Sequence, residues 1–179
     1  MAKFKYSQKL EIQMPKVEGK ADTKKMQMAV NKALTKGAQK GTSYVEKGLR
    51  TALDKALMAS VWTGFSPKMP YSRKNGQVMG SGPRDIMDTG ALKNSLNILT
   101  KFSVTKVNLE IQYSAPYAAL VHYGGIIKPY GNSSAADVII PARPWIRAVL
   151  EGSHGMDKFD IRTPFDRGIS EMWSAQFGT

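Results

Sequence analysis

Two histidines, His122 and His154, are the only imidazole side chains available for acid–base or metal chemistry. His122 lies in an apolar run between Val121 and Tyr123, which favours a hydrogen-bonded structural residue over a catalytic base. His154 lies in the turn Gly-Ser-His-Gly, where we expect it to be solvated. Neither belongs to an HExxH motif or to any other zinc-ligand spacing. The histidines therefore predict no active site and no metal site.

Other residue types that could support catalysis or ligand binding also lack the partner residues that such sites need. The chain has no cysteine, which excludes disulfide scaffolds, cysteine zinc sites and thiol catalysis. The segment GSGPR, residues 80–84, lacks the Gly-Lys-Ser/Thr ending and the preceding buried strand of a phosphate-binding loop. Asp85 and Asp88 are neighbours in sequence, but helix capping explains Asp88 better than catalysis does. We expect no enzymatic activity and no cofactor.

The charge balance points to an anionic partner. Lys and Arg number 26 against 14 acidic residues, a net charge of +12, which attracts polyanions such as nucleic acid or an acidic protein. Tyr71 beside Arg73 and Lys74 could stack on bases, although the same loop can carry ordinary solvated cations. A basic nucleic-acid-binding protein is therefore an alternative, although no helix-turn-helix, zinc-finger or RNA-binding signature occurs.

A long helix is predicted over residues 24–61, because apolar or small residues recur there at steps of three or four. Gly37, Gly41 and Gly48 interrupt it, each costing about 1 kcal/mol relative to Ala in a helix interior. Close backbone packing against a sheet or a neighbouring chain would offset that cost. Residues 62–84 follow without periodicity, and a loop of such length is usually functional or disordered.

Strands are predicted on both sides of the chain's centre. Residues 107–113 alternate between apolar and polar side chains, as in a strand with one wet face. A hairpin link at 102–105 would join this strand to another at 98–102. The weaker alternation of Leu10, Ile12 and Met14 indicates one edge strand or an extended arm in residues 1–23.

Short helices and two further strands complete the prediction. A helix is expected to begin at a cap formed by Asp88 or Thr89, with Leu92 and Leu96 on one face. Ser114 would cap the next helix, which Gly124 ends. Two short strands then frame a polar loop before a helix opened by Pro144. The C-terminal helix has Thr163 at its cap position and Pro164 in its first turn.

Three motifs occur in a familiar order: DTGALKNSL at 88–96, YSAPYAALVHYGG at 113–125, and IPARPWIRAVL at 140–150. Together they resemble the bacteriophage neck and tail-completion family of head–tail joining proteins. The resemblance implies an α+β subunit with a small antiparallel sheet flanked by a long helix, and the chain departs from the family pattern in its basic arm, residues 1–23, and in the segment after residue 152. We therefore expect an α+β fold: a small antiparallel β-sheet packed against one long α-helix plus short helices, with an extended N-terminal arm and a long loop. The resemblance also implies structural or interface roles for the motif positions, which are Thr89, Gly90, Leu92, Ser95, Pro116, Tyr117, His122, Gly124, Pro141, Arg143, Pro144 and Trp145.

The resemblance further implies a homo-oligomeric ring in the virion neck that joins the DNA-filled head to the tail without catalysis. By analogy with tail rings we expect six copies, with twelve as the alternative, and contacts with the portal or connector and with the tail terminator or tail tube. A tail terminator ring capping the tube is a second alternative. Contacts with a neighbouring ring or with DNA in the channel are expected from Lys68, Arg73, Lys74 and Arg84 of the long loop.

Three segments are predicted: an arm at 1–23, the core at 24–152 and a C-terminal extension with an amphipathic helix at 153–179. No apolar run approaches the roughly 18 residues of a membrane span, and the N-terminal residues lack a signal-peptide core. We therefore expect assembly in the host cytoplasm and a final location in the virion, with no membrane contact.

Overall fold

The computed structural model describes residues 6–16, 23–62, 71–72, 78–79, 90–103, 105–128 and 138–178. It confirms the predicted α+β fold, with one long helix, a small antiparallel three-stranded sheet and short helices. In chain order the elements are β1 (Tyr6–Gln13), α1 (Lys24–Ala56), a 3-10 turn (Ala59–Val61), β2 (Tyr71–Ser72), β3 (Val78–Met79), α2 (Ala91–Asn94), β4 (Leu96–Phe102), β5 (Lys106–Tyr113), α3 (Ala118–Tyr123), β6 (Gly125–Ile127), β7 (Val138–Ile140), α4 (Trp145–Glu151) and α5 (Arg162–Phe177).

The chain divides into two compact units. Unit 1 comprises residues 1–7, 52–97 and 112–158, and unit 2 comprises residues 8–51, 98–111 and 159–179. The predicted division at residues 23 and 152 stays a prediction.

Helix α1 gives unit 2 its main apolar face. Ala38, Val45 and Leu49 are buried at spacings of seven and four residues, which places them on one side of a helix with a period of 3.6 residues, and Ala33 is buried as well. The predicted helix is thus present, although it ends at Ala56 and a 3-10 turn follows at Ala59–Val61.

Helix α5 packs on α1 at the glycines. A Cβ on Gly37 would lie 2.8 Å from Ile169 Cα, and one on Gly41 would lie 2.4 Å from the carbonyl oxygen of Phe165. The close packing expected for these glycines is therefore present, but their partner is a helix of the same chain. The prediction of a sheet or a neighbouring chain as the partner was wrong at these two positions.

The three-stranded sheet has the order β1-β5-β4. In β5, Val107, Leu109, Ile111 and Tyr113 are buried while the intervening side chains are partly exposed, which confirms the predicted alternation. Strand β1 lies at the edge, with Ile12 buried, so the edge-strand interpretation of residues 6–13 is confirmed over the extended arm.

Unit 1 holds the short elements. Strands β6 and β7 pair antiparallel with Ile126 opposite Ile139, as predicted for the two strands around the polar loop. Helix α4 begins after Pro144 and buries Trp145, Ile146 and Val149. Trp62 is also buried, and its indole N–H donates to the Ala56 carbonyl at 2.7 Å. Strands β2 and β3 form a two-residue pair inside the segment predicted to be an irregular loop.

Several predicted helix ends were wrong. Leu96 begins β4, so it shares no helix face with Leu92. Ser114 does not cap α3, whose first residue is Ala118 and whose preceding residue is Tyr117, without a side-chain cap. Thr163 lies inside α5, and the Asp160 carboxylate accepts instead from the backbone N–H groups of Arg162 at 2.8 Å and Thr163 at 3.2 Å. Helix α2 begins after Gly90 without a side-chain cap, while Asp88 and Thr89 lie outside the described residues.

Candidate functional site

The three motifs, which are far apart in sequence, meet in unit 1. The backbone N–H of Ser114 donates to the Ser95 carbonyl at 3.1 Å and so joins the second motif to the first. The backbone N–H of Arg143 donates to the Val121 carbonyl at 3.0 Å and joins the third motif to the second. Backbone hydrogen bonds thus tie all three motifs together without any requirement for particular side chains.

Trp145 fills the centre of this motif cluster. Its fully buried ring meets His122 edge-on at 4.8 Å between centroids and Tyr113 edge-on at 5.4 Å. Such perpendicular contacts add about 0.5–1.5 kcal/mol each beyond the area that the rings bury. The sequence-based expectation of Trp145 as a core or interface anchor is therefore met as a core anchor.

His122 belongs to the same core. It is 3% exposed, and burial followed by the positive charge of Arg147 lowers its pKa from 6.5 to about 4. The imidazole is therefore neutral at physiological pH and packs between aromatic rings, including Tyr123 at 4.9 Å. This environment agrees with the predicted structural residue.

Gly124 makes the turn between α3 and β6. Its φ of 74° lies in the region that favours glycine. A Cβ here would also lie 2.7 Å from the backbone N of Ala142 and 2.9 Å from the carbonyl oxygen of Ile140. Glycine at this position therefore allows the second motif to lie directly against the third.

The first motif contributes a buried leucine and a turn. Leu92 is fully buried in α2, and the Ser95 hydroxyl donates to the Leu92 carbonyl at 2.7 Å. Gly90 has a φ of 73° where the chain enters the helix. These positions contribute packing and backbone geometry to the short helix.

The remaining motif residues lie nearer the surface. Pro116 and Tyr117 are exposed, whereas Pro141, Arg143 and Pro144 are half-buried. The carbonyl of Arg143 accepts from the backbone N–H of Trp145 at 2.8 Å, so this arginine fixes the entry to α4 through its backbone. The expected contacts of Thr89, Lys68, Arg73, Lys74 and Arg84 lie outside the described residues.

An exposed apolar surface adjoins the motif cluster. Tyr123, Ile126 and Ile139 are 68%, 66% and 74% exposed, and the two isoleucines face each other across the β6–β7 pair. We call these three residues the hairpin patch. The sequence pattern predicts the two strands but not the exposure of these residues, although apolar residues at facing positions of a short hairpin were an available signal.

The described residues were compared with the requirements of a metal site and of a membrane span. Within them, no group of three or more His, Asp or Glu side chains is placed to hold a metal ion. None of the helices described has the length and apolarity needed to cross a membrane. His154 is exposed as expected, but it has a positive φ of 54° and its ring lies 4.7 Å from that of Trp62.

No family model, no curated protein and no solved structure matches this chain.

Proposed function

We propose that this chain is a structural subunit of a bacteriophage neck, forming a homo-oligomeric ring that joins the portal or connector of the head to the tail. The observation that carries the proposal is the meeting of the three motifs through the Ser114–Ser95 and Arg143–Val121 backbone hydrogen bonds. Segments that resemble one family in order along the chain are thereby also neighbours in space. Their described side chains supply a packed core around Trp145.

The hairpin patch supports the proposal that the chain assembles with other copies of itself. Single exposed apolar residues need no explanation, but Ile126 and Ile139 are exposed directly opposite each other across the β6–β7 pair, and contiguous exposed apolar side chains are typical of interaction surfaces. A two-stranded hairpin is only marginally stable in water, so covering Ile126 and Ile139 with a neighbouring subunit would stabilise it. A head-to-tail contact of this kind, repeated until it closes, produces a ring.

The mass of the purified chain tests the assembly. Native mass spectrometry and electron microscopy are expected to show a closed ring of six copies, with twelve as the alternative. The variant Ile126→Thr/Ile139→Thr keeps β-branched residues in the hairpin but removes apolar area, and we expect it to remain monomeric. Leu99→Thr, which changes an exposed leucine of β4, is the matched control and should assemble normally. Assembly of the double variant as readily as the natural chain would exclude the hairpin patch as the contact.

The position of the chain in the virion tests the neck function itself. Antibodies against the chain are expected to label the head–tail junction of virions from its native source. Heads from a tail-deficient lysate should carry the chain if it belongs to the neck, whereas free tails should carry it if it is a tail terminator. Absence of the chain from purified virions would contradict both structural functions.

A further inference from the structure

The outward side of α1 carries a row of cations. At 100° per residue, Lys25, Lys32, Lys36, Lys47 and Arg50 lie within about 40° of one line along the helix, and all five are exposed. We call these five residues the α1 stripe. It lies opposite the buried face formed by residues such as Val45 and spans roughly 37 Å at a rise of 1.5 Å per residue.

Among the described residues, the cations of the α1 stripe have no ion-pair partner. Lys40 is different, because its ammonium group lies 2.9 Å from Glu171 on α5. The exposed cations of the stripe are therefore placed to attract an external anionic partner.

Both acidic residues of α1 lie in the C-terminal third of the helix. Glu46 and Asp54 are the only two acids in the helix. The Thr100 hydroxyl donates to Glu46 at 2.5 Å, and the Lys93 ammonium lies 2.8 Å from Asp54. Residues 24–45 contain no acid at all, so the N-terminal two thirds of the helix is uniformly positive.

We propose that the α1 stripe binds the phosphate backbone of duplex nucleic acid without sequence preference. The inference concerns the chain itself and does not rest on its assembly into a neck ring. Charge complementarity supplies the attraction, because cations that neutralise phosphates release condensed counterions from the duplex. The length of the stripe matches about one helical turn of duplex, roughly 34–36 Å.

The side chains between the cations favour nucleic acid over an acidic protein. Ala29, Gln39 and Ser43 occupy the same line, and Met28 lies only at its margin. The core of a protein–protein interface is depleted of charged residues and enriched in large apolar ones, whereas a nucleic-acid surface is polar and strongly positive. The α1 stripe has the second composition.

Fluorescence anisotropy with a labelled 30-base-pair duplex, titrated at several KCl concentrations, tests the proposal. The slope of log affinity against log salt is about −0.9 for each phosphate neutralised. Removing three cations should therefore reduce the slope by about 2–3 and weaken binding at low salt by tenfold or more. The test variant is Lys25→Gln/Lys32→Gln/Lys36→Gln.

A matched variant distinguishes the effect of the α1 stripe from the effect of the protein's net charge. It removes three exposed lysines that also lack ion pairs among the described residues and lie outside α1, namely Lys9→Gln/Lys101→Gln/Lys158→Gln. Both variants carry a net charge lower by three, so a general charge effect would weaken them equally. We expect the matched variant to stay within about threefold of the natural chain and to keep its salt slope.

Further measurements make the outcome unambiguous. Lys25→Arg/Lys32→Arg/Lys36→Arg keeps the charge and should bind the duplex as the natural chain does. Circular dichroism should show unchanged helix content in every variant, because Lys, Gln and Arg have similar helix propensities. Equal weakening of the test and matched variants, or no duplex binding by the natural chain in 50 mM KCl, would overturn the proposal. If the test variant lost the natural chain's binding to poly-L-glutamate but bound the duplex as well as the natural chain does, the proposal would be overturned in favour of an acidic protein partner.

Discussion

Gly168 of α5 lies directly on Gly41 of α1. A Cβ at residue 168 would stand 2.1 Å from the backbone N of Gly41 and 2.3 Å from its Cα. A Cβ at residue 41 would in turn lie 2.4 Å from the carbonyl oxygen of Phe165. Because the atoms on both sides belong to the backbone, neither helix can accommodate a methyl group by rotating a side chain.

The first prediction is that Gly168→Ala destabilises the protein. At an ordinary exposed helix position the same change stabilises by about 0.5–1 kcal/mol. Here the methyl group must force α5 away from α1, and such overpacking costs about 3 kcal/mol. Denaturant unfolding measures the difference, with Ser170→Ala at an exposed position of α5 as the control. A stability equal to or above that of the natural chain would show that the helices do not approach so closely.

The sequence predicted the need for this contact but not its partner. Gly37, Gly41 and Gly48 are costly in a helix, so close packing was expected from propensity alone. A sheet or a neighbouring chain was expected instead of α5, because α5 is separated from α1 by more than a hundred residues and the single glycine in its sequence does not specify a surface to approach.

For the other elements, the outcome of the prediction depended on how far the local sequence determines the structure. The strict alternation of β5 specifies which of its faces is buried, so that strand was predicted well. The cap of α5 was assigned to Thr163, because Thr followed by Pro is a common helix start, yet Asp160 accepts the N–H groups. Ile126 and Ile139 are exposed, and whether another element packs on that face of the hairpin depends on residues distant in sequence, so an apolar strand pattern alone did not predict their exposure.

The second prediction is that Gly124→Ala separates the second motif from the third. The substitution combines a positive φ with a Cβ placed 2.7 Å from Ala142 N, and we expect it to cost about 3 kcal/mol or more. Gly155→Ala is the matched control, because Gly155 also has a positive φ, 75°, with nothing within 4 Å of its Cβ. The control isolates the backbone cost of about 1–2 kcal/mol. Equal losses of unfolding free energy in the two variants would mean that Ala142 does not crowd the turn.

The third prediction concerns the ion-pair cluster around Glu171. Hydrogen bonds from Arg167 first, then Lys40 and Tyr44, lower the pKa of Glu171 from 4.5 to about 2. The donors lie 2.8 Å, 2.9 Å and 2.7 Å from the carboxylate oxygens. A depressed carboxyl pKa contributes stability that is present above pH 4.5 and is lost as the pH falls toward 2.

Thermal unfolding at pH 5 and pH 2.5 checks this contribution. Glu171→Gln carries no titrating proton, so its melting temperature should fall less between the two pH values than that of the natural chain. Asp157→Asn removes an exposed carboxylate without an ion pair among the described residues and should keep the natural pH dependence. An identical fall in the natural chain and Glu171→Gln would show that the cluster does not hold the carboxylate in its charged form.

The fourth prediction is a loss of stability in mild acid that depends on His122. Its pKa is about 4 in the folded chain against 6.5 unfolded, so the unfolded chain takes up the proton first as the pH falls. The contribution is therefore complete above pH 6.5 and declines as the pH falls from there to 4. With about 1.4 kcal/mol for each pKa unit, the free energy of unfolding should be lower by about 2–3 kcal/mol at pH 4.5 than at pH 7.5.

Denaturant titrations of His122→Phe, which keeps a ring between Trp145 and Tyr123, should show that decrease greatly reduced. His154→Gln removes the only other histidine and should show the same decrease in unfolding free energy as the natural chain. If the decrease were lost in His154→Gln and kept in His122→Phe, the acid sensitivity would belong to the turn beside Trp62.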